Sequence, residues 1–389
     1  MTFIQKIATV VRREVRIWSR RPIYLLGTVA VMAFCTVFYL TFLGDGVPSD
    51  LPIAVVDLDN SSTSRNFVRQ LDATQLGRVV RYADYSSART ALQAGKVTSV
   101  CVIPEGFNRN IQSQRQPSVG IYVNGLYFLG GSLGWKDLLT MVNLTSGAVQ
   151  REVLQMKGVP DSEIMGLLRP IDVDVHQIGN PTMNYGAYLA NMMIPGMLQM
   201  VVIIVLIYSL GAELKYGTSR HLLDSVENDI HAAVLGKTIL YTVLFTLIGW
   251  TVELILYKWM HFPLAGSLWQ MLLACFLLVV AAESVAILII GCVPVCRFAL
   301  SLGALYSVLG LSLTGFTLPV EVMPAGLRGL TMMYPLRHYY AMYVQVGIFG
   351  SDFGQWYVYV LALLAFCFLP LSVMQRLGNA YRNLNYERN

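Results

Sequence analysis

The stretch NMMIPGMLQMVVIIVLIYSLGAELKYGTSRHLL (191–223) decides how this chain is to be read. From Asn191 to Ala212 it holds no charged side chain, and then Glu213, Lys215 and Arg220 follow in quick succession. A helix rises about 1.5 Å per residue, so a hydrocarbon layer of about 30 Å is crossed by roughly 20 apolar residues. Residues 187–211 meet that length and stop where the charge begins. Working outward, five further tracts do the same: 24–43 behind Pro22, about 238–257, 268–291, about 298–318 and about 353–373. The composition agrees. Of 389 residues, 55% are hydrophobic and 13% charged, against about a quarter charged in an ordinary soluble domain. Disorder is excluded on that balance, and a soluble enzyme is disfavoured. The expected fold class is an α-helical polytopic membrane protein with six transmembrane helices and an inserted extracytoplasmic α/β domain.

Segments 1–21, 22–43, 44–184, 185–375 and 376–389 then read as an in-plane amphipathic helix, a first span, the outer domain, five further spans and a cytoplasmic tail. Lysine and arginine set the orientation. With the N-terminus inside, the cytoplasmic segments carry Lys6, Arg12, Arg13, Arg16, Arg20, Arg21, Lys215, Arg220, Lys237, Arg297, Arg376, Arg382 and Arg388. The short outer segments carry only Lys258, Arg328 and Arg337. Both termini are therefore expected in the cytoplasm, with Trp259, Trp269 and Trp356 at the outer interface. The first tract is too long for a signal-peptide core and no A-x-A site follows it, so it reads as an uncleaved anchor. On a helical wheel Ile4, Ile7, Val11, Val15 and Trp18 fall within about 80°. Lys6, Arg12, Arg13, Arg16 and Arg20 lie opposite, the pattern of a helix resting on anionic lipid rather than a plain basic flank.

The segment 44–184 alternates strand and helix signals. PIAVVD (52–57), GRVVRYA (77–83), VTSVCVIP (97–104), SVGIYVN (118–124) and IDVDVHQI (171–178) read as strands. Helices are expected after a cap at Ser61 or Ser62, over 86–95 ending at Gly95, and over about 131–157. With acid and base nearly balanced it lacks the strong basic bias of a nucleic-acid binder, and no nucleic-acid partner is expected. Asp172, Asp174 and His176 fall on one strand face, an arrangement that a solvated face explains better than a metal or acid–base site. Neither a nucleophile elbow nor a His-Glu-x-x-His helix occurs. The six cysteines form no disulfide framework: Cys35, Cys275 and Cys367 lie in spans, Cys101 stands alone outside, and Cys292 and Cys296 lack the further ligands of a metal site. They read as small apolar packers.

The inner loop 212–237 is the longest on its side. Leu222, Leu223, Val226 and Ile230 can share one helical face with Arg220, Asp224 and Glu227 beside it, which suits docking onto a cytoplasmic partner or a plain surface connector. Gly236-Lys237-Thr238 imitates the end of a phosphate loop, but His231 stands where that loop needs glycine and no strand precedes it. The chain thus has no nucleotide site of its own. Glu283 and Glu253 lie inside expected spans, where a carboxylate costs about 2.5–3.5 kcal/mol unless it is paired or faces the bundle. Lining a transport path, a dimer interface or a structural hydrogen bond are all open for Glu283. For Glu253, nearer the outer end, the structural reading is stronger. Gly315, Phe316, Pro319, Met323, Pro324, Tyr334 and Pro335 mark an outer segment, 319–352, whose apolar pieces are broken by proline. Short helices re-entering the outer leaflet would suit it, as an exit gate or a cap.

Four pieces in order, PIAVVDLDNSSTSR (52–65), NPTMNYGAYLANMMIPG (180–196), ELKYGTSRHLL (213–223) with LGK (235–237), and GFTLPVEVMP with YPLRHYY (315–340), resemble the permease subunits of type-2 ABC transporters with a large extracytoplasmic domain after the first span. The resemblance covers essentially the whole chain. It implies a coupling helix at about 213–230, with Glu213, Gly217 and Thr218, and beside them Leu222 and Leu223, where a cytoplasmic ATPase docks. It implies further that ATP and Mg are bound by that partner and not by this chain, which is itself no enzyme and holds no cofactor. Such permeases pair as homo- or heterodimers in the bacterial inner membrane, and relatives work with a periplasmic adaptor and an outer-membrane channel. The expected function is export of an amphipathic, lipid-like or other small molecule. Two rivals are a membrane-anchored receptor or scaffold using 44–184, and an ion-coupled carrier using Glu283.

Overall fold

The computed structural model describes residues 1–20, 23–42, 44, 46, 50–74, 77–113, 115–125, 128–169, 174, 176, 178–181 and 184–383. They form two units: Met1–Gly44 with Gln177–Asn389, and Asp45–His176. The larger unit opens with α1 (Phe3–Arg20) and α2 (Ile23–Phe42).

The smaller unit follows as β1 (Leu51–Asp57), α3 (Ser62–Asp72), β2 (Gly77–Arg81), α4 (Tyr85–Gln93), β3 (Ser99–Ile103), α5 (Phe107–Gln112), β4 (Gly120–Val123), α6 (Phe128–Met156) and α7 (Asp161–Leu168). Its sheet runs β2-β1-β3-β4, with β1 parallel to both neighbours and β4 antiparallel on the edge. Strand alternation divides β1 between two cores. Ile53 and Val55 join Phe67, Leu71 and Leu138 under α3 and α6, while Ala54 and Val56 meet Ala88 and Ala91 of α4. Helices on both faces explain why β1 is a continuous apolar run. Ser61 caps α3 as expected, its hydroxyl accepting from the Ser64 N–H at 3.1 Å. Asp84 caps α4, and Gly95 follows its end at a φ of 69°. Burial pushes the Cys101 thiol up to about 12, which leaves it an inert packing residue. Helices α5 and α7 were not legible as helices, being short and without a clear apolar period. Most of the expected strand at 171–178, Asp172 included, lies outside the described residues; Asp174 and His176 are exposed and 3.0 Å apart.

The larger unit continues as α8 (Tyr185–Lys215), α9 (Ser219–Asp224), α10 (Ile230–Leu254), α11 (Leu268–Cys292), α12 (Cys296–Ser312), α13 (Ala325–Thr331), α14 (Pro335–Tyr343), α15 (Phe353–Phe366) and α16 (Met374–Asn383). Helix α8 lies at its centre, packed on α2, α10, α11 and α12. Small residues permit the close approaches: a Cβ added at Gly211 would lie 2.8 Å from Cys296 Sγ, and one at Gly303 2.6 Å from Ile207 Cδ1. Among the described residues four helices are long and apolar enough to cross a membrane: Tyr185–Lys215, Ile230–Trp259, Leu268–Cys292 and Phe353–Asn383. The other two expected spans appear as shorter apolar helices, Gly27–Phe42 and Cys296–Ser312.

Three expectations need correction. The fifth tract stops as a helix at Ser312, because Thr314–Phe316 turn through Gly315 at a φ of 90°. The single helix expected over 213–230 does not form: Glu213 belongs to α8, only Ser219–Asp224 is helical, and Ile230 opens α10. The supposed tail is the amphipathic helix α16, whose Leu377, Ala380 and Tyr381 are buried against α9, α10 and α11.

Candidate functional site

The end of α8 is built by a glycine. Gly217 sits at a φ of 67°, in the left-handed region that glycine enters without penalty. Its N–H donates to Leu214 O at 3.3 Å, and the Thr218 N–H to Glu213 O at 2.9 Å, the paired bonds of a Schellman closure. A Cβ at Gly217 would touch nothing within 4 Å, so the constraint is conformational rather than steric. Gly217→Ala should therefore lower stability by about 1–2 kcal/mol, and Gly217→Asn by less, read from unfolding of the purified protein.

That closure folds Thr218 back so that its hydroxyl donates to the Glu213 carboxylate. Glu213 is the hub of a buried ion cluster. Arg13 of α1 grips it with two bonds, Nη1 to Oε1 at 2.7 Å and Nη2 to Oε2 at 2.9 Å. Lys237 Nζ of α10 stands 2.8 Å from Glu213 Oε1 and 3.0 Å from Glu14 Oε1 of α1. Arg13 also reaches Glu14 at 3.1 Å, and Lys237 donates to Ser209 O at 3.1 Å. Two anions and two cations balance, and three of the four side chains are 5% exposed or less. Burial alone would depress the Arg13 guanidinium, but the Glu213 bond and the charges of Glu213 and Glu14 hold it above its ordinary value.

The same cluster reassigns the faces of α1. Val10 and Glu14 are its buried positions, with Ile7, Arg13 and Trp18 partly covered, whereas Ile4 and Val15 are exposed. The basic side expected opposite the apolar arc is divided. Arg13 turns inward to Glu213 and Lys6 pairs with Glu227 at 3.1 Å, leaving Arg12, Arg16 and Arg20 exposed. Helix α1 can lie so close to α10 because position 236 is glycine: an added Cβ would be 2.6 Å from Val10 Cβ. Trp18 then caps the contact, its Nε1 donating to Tyr241 OH at 3.3 Å.

Helix α9 is not the free apolar helix expected. Leu222 and Leu223 are buried, Ser219 donates to Tyr381 O at 3.0 Å and Arg220 Nε to Arg382 O at 3.0 Å. The apolar side is thus consumed by α16, and the outward side is Tyr216, Gly217, His221 and Asp224.

The remaining expected residues lie apart from the cluster. Glu253 is buried rather than reaching an interface; Tyr339 OH donates to its Oε1 at 2.7 Å. Glu283 is buried too and accepts from Thr242 Oγ1 at 2.6 Å. One oxygen of each has no partner among the described residues. In the outer segment, Pro319 and Pro324 precede a short 3-10 turn and α13, and Pro335 is the first residue of α14. Phe316 stacks on Tyr188 at 4.4 Å, Tyr334 meets Tyr306 at 4.7 Å, and Met323 is buried. Helix α14 is mostly buried and α13 mostly exposed.

Sequence reasoning missed Arg13, Glu14 and Lys237 as one site. Two signals were present: Glu14 is the one acid among residues 1–21, and Lys237 is the one charge between His231 and Glu253. In comparisons with known proteins, residues 22–374 match the ABC-2 family transporter proteins. No curated protein matches the chain.

Proposed function

The chain belongs to the ABC-2 transporter family, and from that premise we propose that it is the permease subunit of an exporter driven by a separate ATP-binding-cassette ATPase. In this reading all six apolar helices span a bacterial inner membrane, both termini are cytoplasmic, and the 45–176 unit lies outside. Two copies, or this chain and a relative, enclose the route for an amphipathic or lipid-like cargo. The outer segment 319–352 dips into the outer leaflet and gates the exit. An adaptor and outer-membrane channel would extend the route further.

One observation carries the coupling mechanism: the turn at Gly217-Thr218 is bonded to a carboxylate that also holds α1 and α10. A push on the outward side of α9 therefore moves three helices together. ATP and Mg act in the partner; nucleotide-driven closure supplies the differential contacts that shift the helices between two packings. Tyr216, His221 and Asp224 form the docking side, while Leu222 and Leu223 hold α9 on the fold. Glu213, Gly217 and Thr218 set the turn's geometry.

The test is reconstitution. The isolated chain should hydrolyse no ATP, and vesicles holding it with its ATPase should export cargo only with ATP; transport by the chain alone under a proton gradient would overturn the reading. Like charges brought together at an interface cost several kcal/mol, and each factor of ten is about 1.4 kcal/mol. Asp224→Arg with His221→Glu should thus cut coupled transport at least tenfold with folding intact. Full transport in that variant would show that the ATPase docks elsewhere than on this side of α9.

A further inference from the structure

The smaller unit holds a cavity of about 710 Å³ formed by α3, α5, α6, α7 and the chain before β4. Ligand sites of small molecules run to about 300–1,000 Å³. Its walls are mainly apolar, with Phe67 from α3, Phe107 and Ile111 from α5, Val142 and Val149 from α6, and they include the neutral polar Gln116, Ser146 and Gln150. Two cations, Arg115 and Lys157, also line it, and among the described residues no Asp or Glu does. Neither cationic side chain has an ion-pair or hydrogen-bond partner among the described residues, and both are exposed. Thr145 adds a second, independent sign. A helical threonine ordinarily donates to a carbonyl one turn back, as Thr140 does to Lys136 at 2.7 Å. Thr145 Oγ1 lines the cavity, is buried, and has no partner among the described residues.

We infer that this cavity binds a single-chain amphipathic anion, a fatty-acid-like molecule whose chain lies against Phe67, Phe107 and Val149 and whose acidic head meets Arg115 and Lys157. Both halves of the description are required. A small hydrophilic anion would leave the apolar walls uncovered, and a neutral lipid would forgo the charge-assisted contacts that Arg115 and Lys157 can offer. Because both cations are exposed while Phe67 and Phe107 are buried, the head would stay at water and the chain lie against the apolar walls. The site belongs to this unit and does not depend on the transport reading, since cargo and regulator would be bound by the same chemistry.

The test uses the full chain in nanodiscs of neutral phosphatidylcholine, with palmitic acid carrying a mid-chain diazirine as the probe. After irradiation, label should map to peptides within 107–119 and 142–157. The matched fatty alcohol should label about tenfold less, and Arg115→Ala with Lys157→Ala should lower labelling by the acid about tenfold, the scale of one charge-assisted contact. Val149→Trp, which fills the cavity from its α6 wall, should abolish it. If that variant fails to fold, the double alanine variant at exposed positions decides. Label confined to the apolar helices of the larger unit, or equal labelling by acid and alcohol, would overturn the inference. So would labelling that the double alanine variant leaves unchanged.

Discussion

Lys237→Met should destabilise the larger unit by about 3–5 kcal/mol, because it leaves two buried carboxylates facing one cation. Glu213 and Glu14 lie 2.8 and 3.0 Å from Lys237 Nζ, and Lys237 itself is 2% exposed, so solvent screens little of the imbalance. Lys237→Met combined with Glu14→Gln removes one charge of each sign and leaves the two-pronged Arg13–Glu213 pair whole. That double variant should recover most of the loss, with a coupling energy at the upper end for contacting residues, about 3 kcal/mol. Detergent-titrated unfolding of the four proteins measures it. A single variant within about 0.5 kcal/mol of the parent, the scatter of an ordinary surface change, would show that the cluster is not a buried, balanced set.

Gly236→Val should detach α1 while leaving the remaining helices folded. The first added carbon would stand 2.6 Å from Val10 Cβ and 3.1 Å from Ile7 O, and neither backbone nor a branched side chain yields cheaply. Overpacking of this kind costs about 1–3 kcal/mol. Here the displacement also pulls Arg13 and Glu14 off Glu213 and Lys237, so the penalty of unpaired charge is added. Hydrogen exchange over residues 3–20 should rise sharply, with α8 and α11 still protected. Uniform protection along α1 in this variant would show that the glycine is not what sets the α1–α10 distance.

The apolar helices were legible because hydrocarbon selects on length and polarity alone. The strands of the smaller unit were legible for a related reason: a strand covered on both faces is apolar throughout, as in Ile53–Val56. The candidate site was half legible. Gly217 and Thr218 stood out through a family resemblance, but their task, closing α8 and binding Glu213, is a property of backbone angles that no residue type announces. Leu222 and Leu223 were placed on the correct element with the wrong neighbour, because an apolar helical face specifies burial and not what buries it. Nothing local marks α16 as that neighbour, which follows more than 140 residues later (Ser219 to Tyr381 spans 162).

By itself, then, the sequence determined which segments leave water and where charge must stop, since those depend on the solvent around each residue. The tertiary structure alone decided that Arg13, Glu14, Glu213 and Lys237 neutralise one another. Their spacing along the chain reaches 200 residues between Arg13 and Glu213. Coulomb attraction between buried charges depends on distance in space, which exists only once α1, α8 and α10 have packed.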